Sequence, residues 1–211
     1  MPAPGDYLRD PEAIYQQSFA AIRREAPIEH LPREMQGLAA RLIHACAMPD
    51  ILLELAWSVD AIEAGRRALV AGRPVLVDAA MVAAGIRREC LPANNPIVCT
   101  LGDPGVAERA AAAAITRSAA AVDLWRDHLD GAVVAIGNAP TALFRLLELL
   151  EDGVSPPALV LAFPLGFVGA AEAKESLVQH RPQVPHIVVH GRRGGSALAA
   201  AAVNALALEA S

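Results

Sequence analysis

The stretch AVVAIGNAPTALFRLLELLEDG, at residues 132–153, decides the fold class. Its apolar run at 132–136 ends at Gly137, a pattern typical of a buried strand followed by a turn. Pro140 then suits the first turn of a helix, where its missing N–H costs nothing. Leucines recur at helical spacing, at positions 143, 146, 147 and 150, and Gly153 ends the pattern. The stretch therefore predicts a strand, a tight turn and a helix with one buried face.

The same alternation of short apolar runs and helical patterns continues along the chain, which is the signature of a parallel sheet flanked by helices. Five strands are predicted, at residues 75–77, 97–101, 132–136, 158–163 and 186–190. Helices are predicted from 11 to about 24, with Asp10 as N-cap, at 32–47 and at 196–208. We therefore expect an α/β fold. It is a three-layer open sheet of about five mostly parallel strands with helices on both faces, preceded by two N-terminal helices, in one domain over residues 1–211.

Composition excludes several classes of function. The 211 residues carry 18 Lys and Arg against 23 Asp and Glu, and the net charge of −5 disfavours binding to nucleic-acid phosphates. No apolar stretch reaches the roughly 18–20 residues that cross a membrane, and the start, MPAPGDYLRDPEA, lacks the features of a signal peptide. Three widely spaced cysteines, Cys46, Cys90 and Cys99, indicate reduced thiols in the cytoplasm rather than disulfides or a zinc site.

Glycine-rich turns follow three of the five predicted strands, at residues 137–141, 164–169 and 191–196. Ligands of open parallel sheets bind beyond the carboxyl ends of the strands, and bare N–H groups at such turns favour anions. The alternative is that these glycines only allow tight turns. The sequence has no G-x-G-x-x-G after the first strand and no P-loop. It also lacks H-E-x-x-H and C-x-x-C metal motifs and a G-x-S-x-G elbow.

Two charged residues are candidates for chemistry. His44 falls in the last turn of a helix that Pro49 terminates, where an imidazolium is favoured by about 0.3–1 kcal/mol. Such a histidine could act as a general acid, although a structural histidine is the simpler interpretation of its position alone. Arg117 lies near a predicted helix start that Thr116 or Ser118 can cap. Its guanidinium suits carboxylate binding, and a solvated surface arginine is the alternative.

Seven segments cover nearly the whole chain in order: IYQQSFAAIRREA, RLIHACA, DAAMVAAGI, ITRSAAA, IGNAPTALFRLLEL, ALVLAFPLGFVGAAEAKESL and GRRGGSALAAAAVNALAL. Together they resemble the precorrin-8X methylmutase family, which is also known in a cobalt-precorrin-8 form. The strings IGNAPTALFRL and FPLGFVGAAEAKE are long and unusual, so the likeness is far more specific than a glycine motif.

The resemblance implies an isomerase of corrin biosynthesis. Such an enzyme moves a methyl group from C-11 to C-12 of precorrin-8X by a suprafacial 1,5 shift and gives hydrogenobyrinate. It needs no methyl donor, no cofactor and no metal. The resemblance places the catalytic histidine at His44, the substrate-contacting serine at Ser18 and an arginine at Arg117. It also implies a homodimer with its site near the subunit interface. The final helix and the two N-terminal helices are the candidate dimer surfaces.

The remaining substrate contacts are expected at the strand ends. The candidate substrate-binding residues there are Asp78, Met81, Gly137, Asn138, Gly166, Gly194 and Ser196. Arginines and backbone N–H groups would hold the acetate and propionate carboxylates of the macrocycle, and Met81, Val82, Phe167 and Val168 would line its face. His44 would protonate the conjugated system at the ring-C nitrogen and lower the barrier to methyl migration. This role requires an imidazole that lies near the strand-end turns rather than in bulk solvent.

Three positions depart from the family pattern. Cys46 replaces the usual Thr, Ala173 replaces the usual Ser, and Arg193 stands where Lys is frequent. Cys46 lies close to His44 in sequence, so the hydrogen bonding around the histidine could differ from that of the family.

Three alternatives stay open at this point. The substrate could be cobalt-precorrin-8, with cobyrinate as product. The protein could be a corrinoid carrier without catalysis, because the same loops would serve both roles. It could also be a small α/β enzyme that binds a phosphorylated metabolite through GNAPT and GRRGGS.

Overall fold

A six-stranded sheet forms the centre of the protein, in a computed structural model that describes residues 7–208. The strands are β1 (Leu55–Trp57), β2 (Val75–Val77), β3 (Ile97–Val98), β4 (Val133–Ile136), β5 (Leu159–Ala162) and β6 (His186–Val189). Their spatial order is β1-β6-β5-β4-β2-β3, with β1 antiparallel to β6 and the other pairs parallel. The predicted α/β fold is confirmed. The predicted domain limits at residues 1 and 211 lie outside the described residues.

The sequence does not predict strand β1, nor the helix at Ala61–Val70 between β1 and β2. Strand β1 has three residues, follows a 3-10 segment at Pro49–Glu54, and has neither alternation nor a long apolar run. Its pairing of Leu55 with Val189 creates the strand, and this partner lies 134 positions further along the chain. Strand β3 is shorter than the predicted 97–101, because the ladder with β2 includes two residue pairs.

Nine helices surround the sheet within the described residues. They are α1 (Pro11–Glu25), α2 (Arg33–Cys46), α3 (Ala61–Val70), α4 (Ala80–Gly85), α5 (Val106–Ala113), α6 (Arg117–Val122), α7 (Pro140–Glu151), α8 (Ala170–His180) and α9 (Ser196–Leu208). The predicted caps are confirmed. Asp10 accepts the N–H of Glu12 at the start of α1, and Thr116 accepts the N–H of Ala119 at the start of α6.

Strands β2, β4, β5 and β6 are buried on both faces, as a parallel sheet between two helix layers requires, while the edge strands β1 and β3 are partly exposed. Val133 and Ala135 of β4 face a core shared with α1, α2, α3, α4 and α9. Val134 and Ile136 face a second core shared with α7 and α8. Alternate residues of one strand therefore serve two different cores, which confirms the expected helices on both faces.

Helix α9 is buried in the interior of the fold. Its small residues are buried against α2, α4 and the sheet, and a Cβ on Gly85 would approach Ala200 Cβ to 2.7 Å. The expectation that α9 offers a dimer surface is therefore wrong, because neighbouring helices of the same chain already cover it. Helix α1 keeps large exposed side chains, among them Ile14 and Tyr15.

The chain topology gathers the functional loops at one edge. The segments after β2, β4, β5 and β6 all leave the sheet at the carboxyl ends of parallel strands. Because β1 is antiparallel, it begins at that same edge, so the preceding segment Pro49–Glu54 and the end of α2 also lie there.

Candidate active site

His44 and Ser18 meet although 26 positions separate them. Ser18 Oγ on α1 and His44 Nδ1 on the last turn of α2 form a 2.9 Å hydrogen bond. The imidazole stacks on Phe19 with a centroid distance of 5.1 Å and an interplanar angle of 24°. Since one ring nitrogen is bound and one ring face is covered, the orientation of the imidazole is fixed and Nε2 lies on the side away from Ser18.

The surroundings of His44 extend the arrangement through α1. The guanidinium of Arg41, one turn earlier on α2, lies over the Phe19 ring, 5.7 Å from its centroid. It also donates to the hydroxyl oxygen of Tyr15 at 3.2 Å. Sequence reasoning missed Tyr15, Phe19 and Arg41. The available signal was spacing, because Tyr15 and Phe19 lie three residues before and one residue after Ser18 on the same helix.

The imidazole is exposed in the single chain, while Ser18 is partly exposed. The expectation of a shielded ring is therefore not met within one chain. The ring does lie at the expected edge of the sheet, since α2 ends there and Arg193 of the loop after β6 is joined to Asp50 and Glu54 just beyond α2.

Cys46 does not alter the hydrogen bonding of His44. Its thiol contacts the carbonyl oxygens of Ile43 at 3.8 Å and Met48 at 3.9 Å. Burial raises the pKa of the Cys46 thiol, so the sulfur stays protonated at neutral pH. The replacement of the usual Thr therefore leaves the Ser18–His44 pair intact.

Asp78 has a structural role that differs from the expected substrate contact. Its carboxylate is 2% exposed and accepts the N–H groups of Gly137 at 2.9 Å, Asn138 at 3.0 Å and Ala139 at 2.7 Å. Burial raises the pKa of Asp78 against the opposing effect of these three bonds. The backbone N–H groups that were candidates for a substrate anion therefore already bind the carboxylate of Asp78. The side chain of Asn138 in this loop is exposed and can contact a ligand.

The loops after β5 and β6 are joined to each other. Gly195 N–H donates to Phe163 O at 2.8 Å, and Gly166 N–H donates to Arg192 O at 3.2 Å. A Cβ on Gly194 would overlap the carbonyl oxygens of Phe163 and Pro164. Gly194 therefore allows the two loops to pack closely. Gly166 has a φ of +140°, which residues with a Cβ rarely adopt, and its N–H is not available to an anion. Ser196, at the start of α9, is partly exposed.

Exposed side chains at this edge provide a mixed apolar and cationic surface. Met81 is 73% exposed, Phe167 86% and Val168 88%, and the Arg192 guanidinium lies 5.5 Å from the Phe167 ring centroid. The expectation that Val82 lines the ligand is wrong, because its side chain is fully buried in the core below α4.

Arg117 is exposed at the first position of α6, beside the loop after β4. The hydroxyl oxygens of Thr116 and Thr141 lie 2.7 Å apart and fix this neighbourhood. The structure thus places Arg117, Asn138, Met81 and Phe167 on loops and helix starts at one edge, with the His44–Ser18 pair at the end of α2 on the same edge.

Metal ligands do not converge anywhere in the described part of the chain, where no three His, Cys, Asp or Glu side chains come together. Cys46, Cys90 and Cys99 are all free. Over residues 7–208, no helix combines the length and the apolar character needed to cross a membrane.

A doubly wound sheet with a serine-held histidine and exposed arginines at its carboxyl edge defines an α/β protein with a ligand site at that edge. The family model described as Precorrin-8X methylmutase matches residues 13–209. The chain belongs to the precorrin-8X methylmutase family and is an isomerase of cobalamin biosynthesis.

Individual relatives agree with this assignment. The precorrin-8X methylmutase of Pseudomonas aeruginosa is 56% identical over 204 residues, which cover 97% of this chain and 98% of the relative. The cobalt-precorrin-8 methylmutase of Priestia megaterium is 35% identical over 94% of this chain and 88% of the relative. The crystal structure of precorrin-8X methylmutase from Thermus thermophilus matches with a TM-score of 0.85 at 41% identity, over 94% of this chain and 96% of that one.

Proposed function

We propose that the protein shifts the methyl group of precorrin-8X from C-11 to C-12 and yields hydrogenobyrinate, with His44 as the general acid. The Ser18–His44 hydrogen bond carries this proposal, because it orients the imidazole and leaves Nε2 for a ligand. The higher identity to a precorrin-8X enzyme than to a cobalt-precorrin-8 enzyme supports the cobalt-free substrate.

In the proposed reaction, His44 donates a proton to the substrate and takes it back after the methyl shift. Nε2–H of the imidazolium protonates the ring-C nitrogen, and the conjugated system becomes electron-poor. The bond between C-11 and the methyl group breaks as the bond to C-12 forms on the same face, and the proton then returns to His44. His44 lies in the last turn of α2, at the edge of the sheet where the substrate would bind. A positioned general acid typically contributes about 10²–10⁴-fold to the rate.

Binding is assigned to the exposed side chains of the carboxyl edge. Arg117 would pair with a carboxylate of the macrocycle, and Asn138, Ser18 and Ser196 would donate further hydrogen bonds. Met81, Phe167 and Val168 would lie against its apolar face. Asp78, Gly137, Gly166 and Gly194 would act indirectly, since they shape the loops that present these groups.

A homodimer is part of the proposal. Large exposed apolar side chains at the carboxyl edge and on α1, together with the exposed imidazole, are features that a second copy would cover. We also propose that the chain forms a single domain and acts in the cytoplasm, where its three free thiols stay reduced.

The test mixes purified protein with precorrin-8X and follows the visible spectrum. Appearance of the hydrogenobyrinate chromophore supports the isomerase. A stable complex with an unchanged substrate chromophore would instead support a carrier. Turnover of cobalt-precorrin-8 alone, with none of precorrin-8X, would overturn the cobalt-free assignment.

Substitution of His44 tests its proposed role. H44Q is expected to lower turnover by about 10²–10⁴-fold while the affinity for hydrogenobyrinate changes little, because the amide cannot supply the proton. S18A is expected to cause a smaller loss through a disordered imidazole. S176A on α8, which packs on the face of the sheet opposite α1 and α2, serves as control. Normal turnover by H44Q with unchanged product binding would exclude the acid role.

A further inference from the structure

Lys174 on α8 is fully buried and outside the machinery described above. Its Nζ donates to the carbonyl oxygen of Arg193 at 2.8 Å. Burial lowers the pKa of Lys174 to about 8, while the nearby charge of Glu54 opposes this shift. Burial of a lysine costs stability relative to an apolar side chain, and the bond from Lys174 to the carbonyl of Arg193 fixes the loop after β6.

Arg193, whose carbonyl Lys174 holds, uses its side chain to bridge to another part of the chain. Nη1 lies 2.7 Å from Asp50 Oδ2, while Nε and Nη2 lie 3.0 and 2.8 Å from the two oxygens of Glu54. Both carboxylates belong to the segment Pro49–Glu54, which begins three residues after α2 ends. The guanidinium of Arg193 is partly buried, and its hydrogen bond to Glu54 lowers the pKa of that carboxyl group.

The backbone and the side chain of Arg193 therefore connect three parts of the carboxyl edge. Its backbone is held by α8, its neighbours Arg192 and Gly195 are bonded to the loop after β5, and its side chain holds the segment that follows His44. The charges within the cluster balance, with Lys174 and Arg193 against Asp50 and Glu54. Loss of Arg193 would leave two carboxylates without their shared cation.

We propose that Arg193, fixed through its carbonyl by Lys174, is a positioning residue that sets the His44 end of α2 against the loops that bind the corrinoid. The inference rests on the proposed function. Misplacement of a catalytic group by about 1 Å can cost about 10²-fold in rate, and Arg193 determines such a placement without contact to the reacting atoms.

The experiment compares R193Q, R193K and the control R126Q in turnover of precorrin-8X and in affinity for hydrogenobyrinate. R193Q is expected to lower kcat by about 10- to 100-fold with little change in affinity, because the acid and not the binding surface is displaced. R193K retains one charge without the fork that joins two carboxylates, and it is expected to recover part of kcat. R126Q removes a surface ion pair with Asp152 and should leave both values unchanged.

The outcomes separate this inference from the proposed function. A wild-type protein without turnover would contradict the function itself. An active wild type, an inactive H44Q and an R193Q variant with normal kcat would overturn the positioning role alone. Equal losses of kcat and affinity would also overturn it. Should R193Q fail to fold, D50N removes one carboxylate of the same bridge at an exposed position and is expected to lower kcat without loss of affinity.

Discussion

His44 shows how a single residue acquires a function from its neighbours. A histidine in the last turn of a helix is favoured as a cation by the helix dipole, but that effect does not orient the ring. Ser18 and Phe19, two consecutive residues of α1, supply a hydrogen bond and a stacking surface and thereby fix its direction. The proposed acid is thus a property of two packed helices rather than of one side chain.

Asp78 provides a prediction about stability. In D78N, one amide oxygen replaces two carboxylate oxygens, so an NH₂ group faces a backbone N–H donor in a buried site. We expect the free energy of unfolding to fall by about 1–3 kcal/mol, the cost of an unsatisfied buried donor. Urea unfolding of D78N measures the effect, with D130N at an exposed position as control. Equal stability of the two variants would show that the three bonds contribute little.

Lys174 predicts a dependence of stability on pH. Its pKa is about 8 in the folded chain against 10.5 ordinarily, so between these values the unfolded chain holds a proton that the folded chain has lost. Stability contributed by this group therefore rises as pH increases from 8 to 10.5, by at most about 3 kcal/mol. The stability difference between wild type and K174M should grow in favour of wild type over this range in urea titrations. A difference that does not vary with pH would contradict the lowered pKa.

At the scale of elements, the joined loops after β5 and β6 predict the effect of one methyl group. G194A places Cβ on backbone oxygens of residues 163 and 164, which cannot move aside as a flexible side chain could. The expected destabilisation is about 1–3 kcal/mol, accompanied by loss of turnover as the loop shifts.

The matched control is G102A, because a Cβ there meets no atom within 4 Å. Thermal unfolding and the spectral assay should separate the two variants clearly. If G194A were as stable and as active as G102A, the close approach of the two loops would be unimportant.

Elements also show how far sequence patterns reach. Apolar runs and helical periodicity predict β2, β4, β5 and β6 and the helices α1, α2, α7 and α9 to within a few residues, because burial on both faces leaves a continuous apolar run. Strand β1 has no such signal, since three residues gain their conformation from a distant partner. The sequence also places Val82 at the ligand, whereas the short helix α4 directs its side chain into the core.

At the scale of the whole molecule, the exposed imidazole predicts an oligomer. If a second copy completes the site, sedimentation should give twice the 22.1 kDa chain mass. Specific activity should fall on dilution as monomers form, because the exposed surface at the carboxyl edge loses its cover. Full activity of a 22.1 kDa monomer across a dilution series would contradict a site that depends on the interface.

By itself, the sequence determined the α/β class, the family likeness and the identity of His44, Ser18 and Arg117 as candidates, since these follow from local periodicity and from residue strings. The tertiary structure alone decided that Ser18 binds His44, that Asp78 holds the loop after β4, and that Arg193 joins two segments more than 130 residues apart. Contacts of this kind depend on where the packed helices and parallel strands bring distant residues, and no local pattern records that distance.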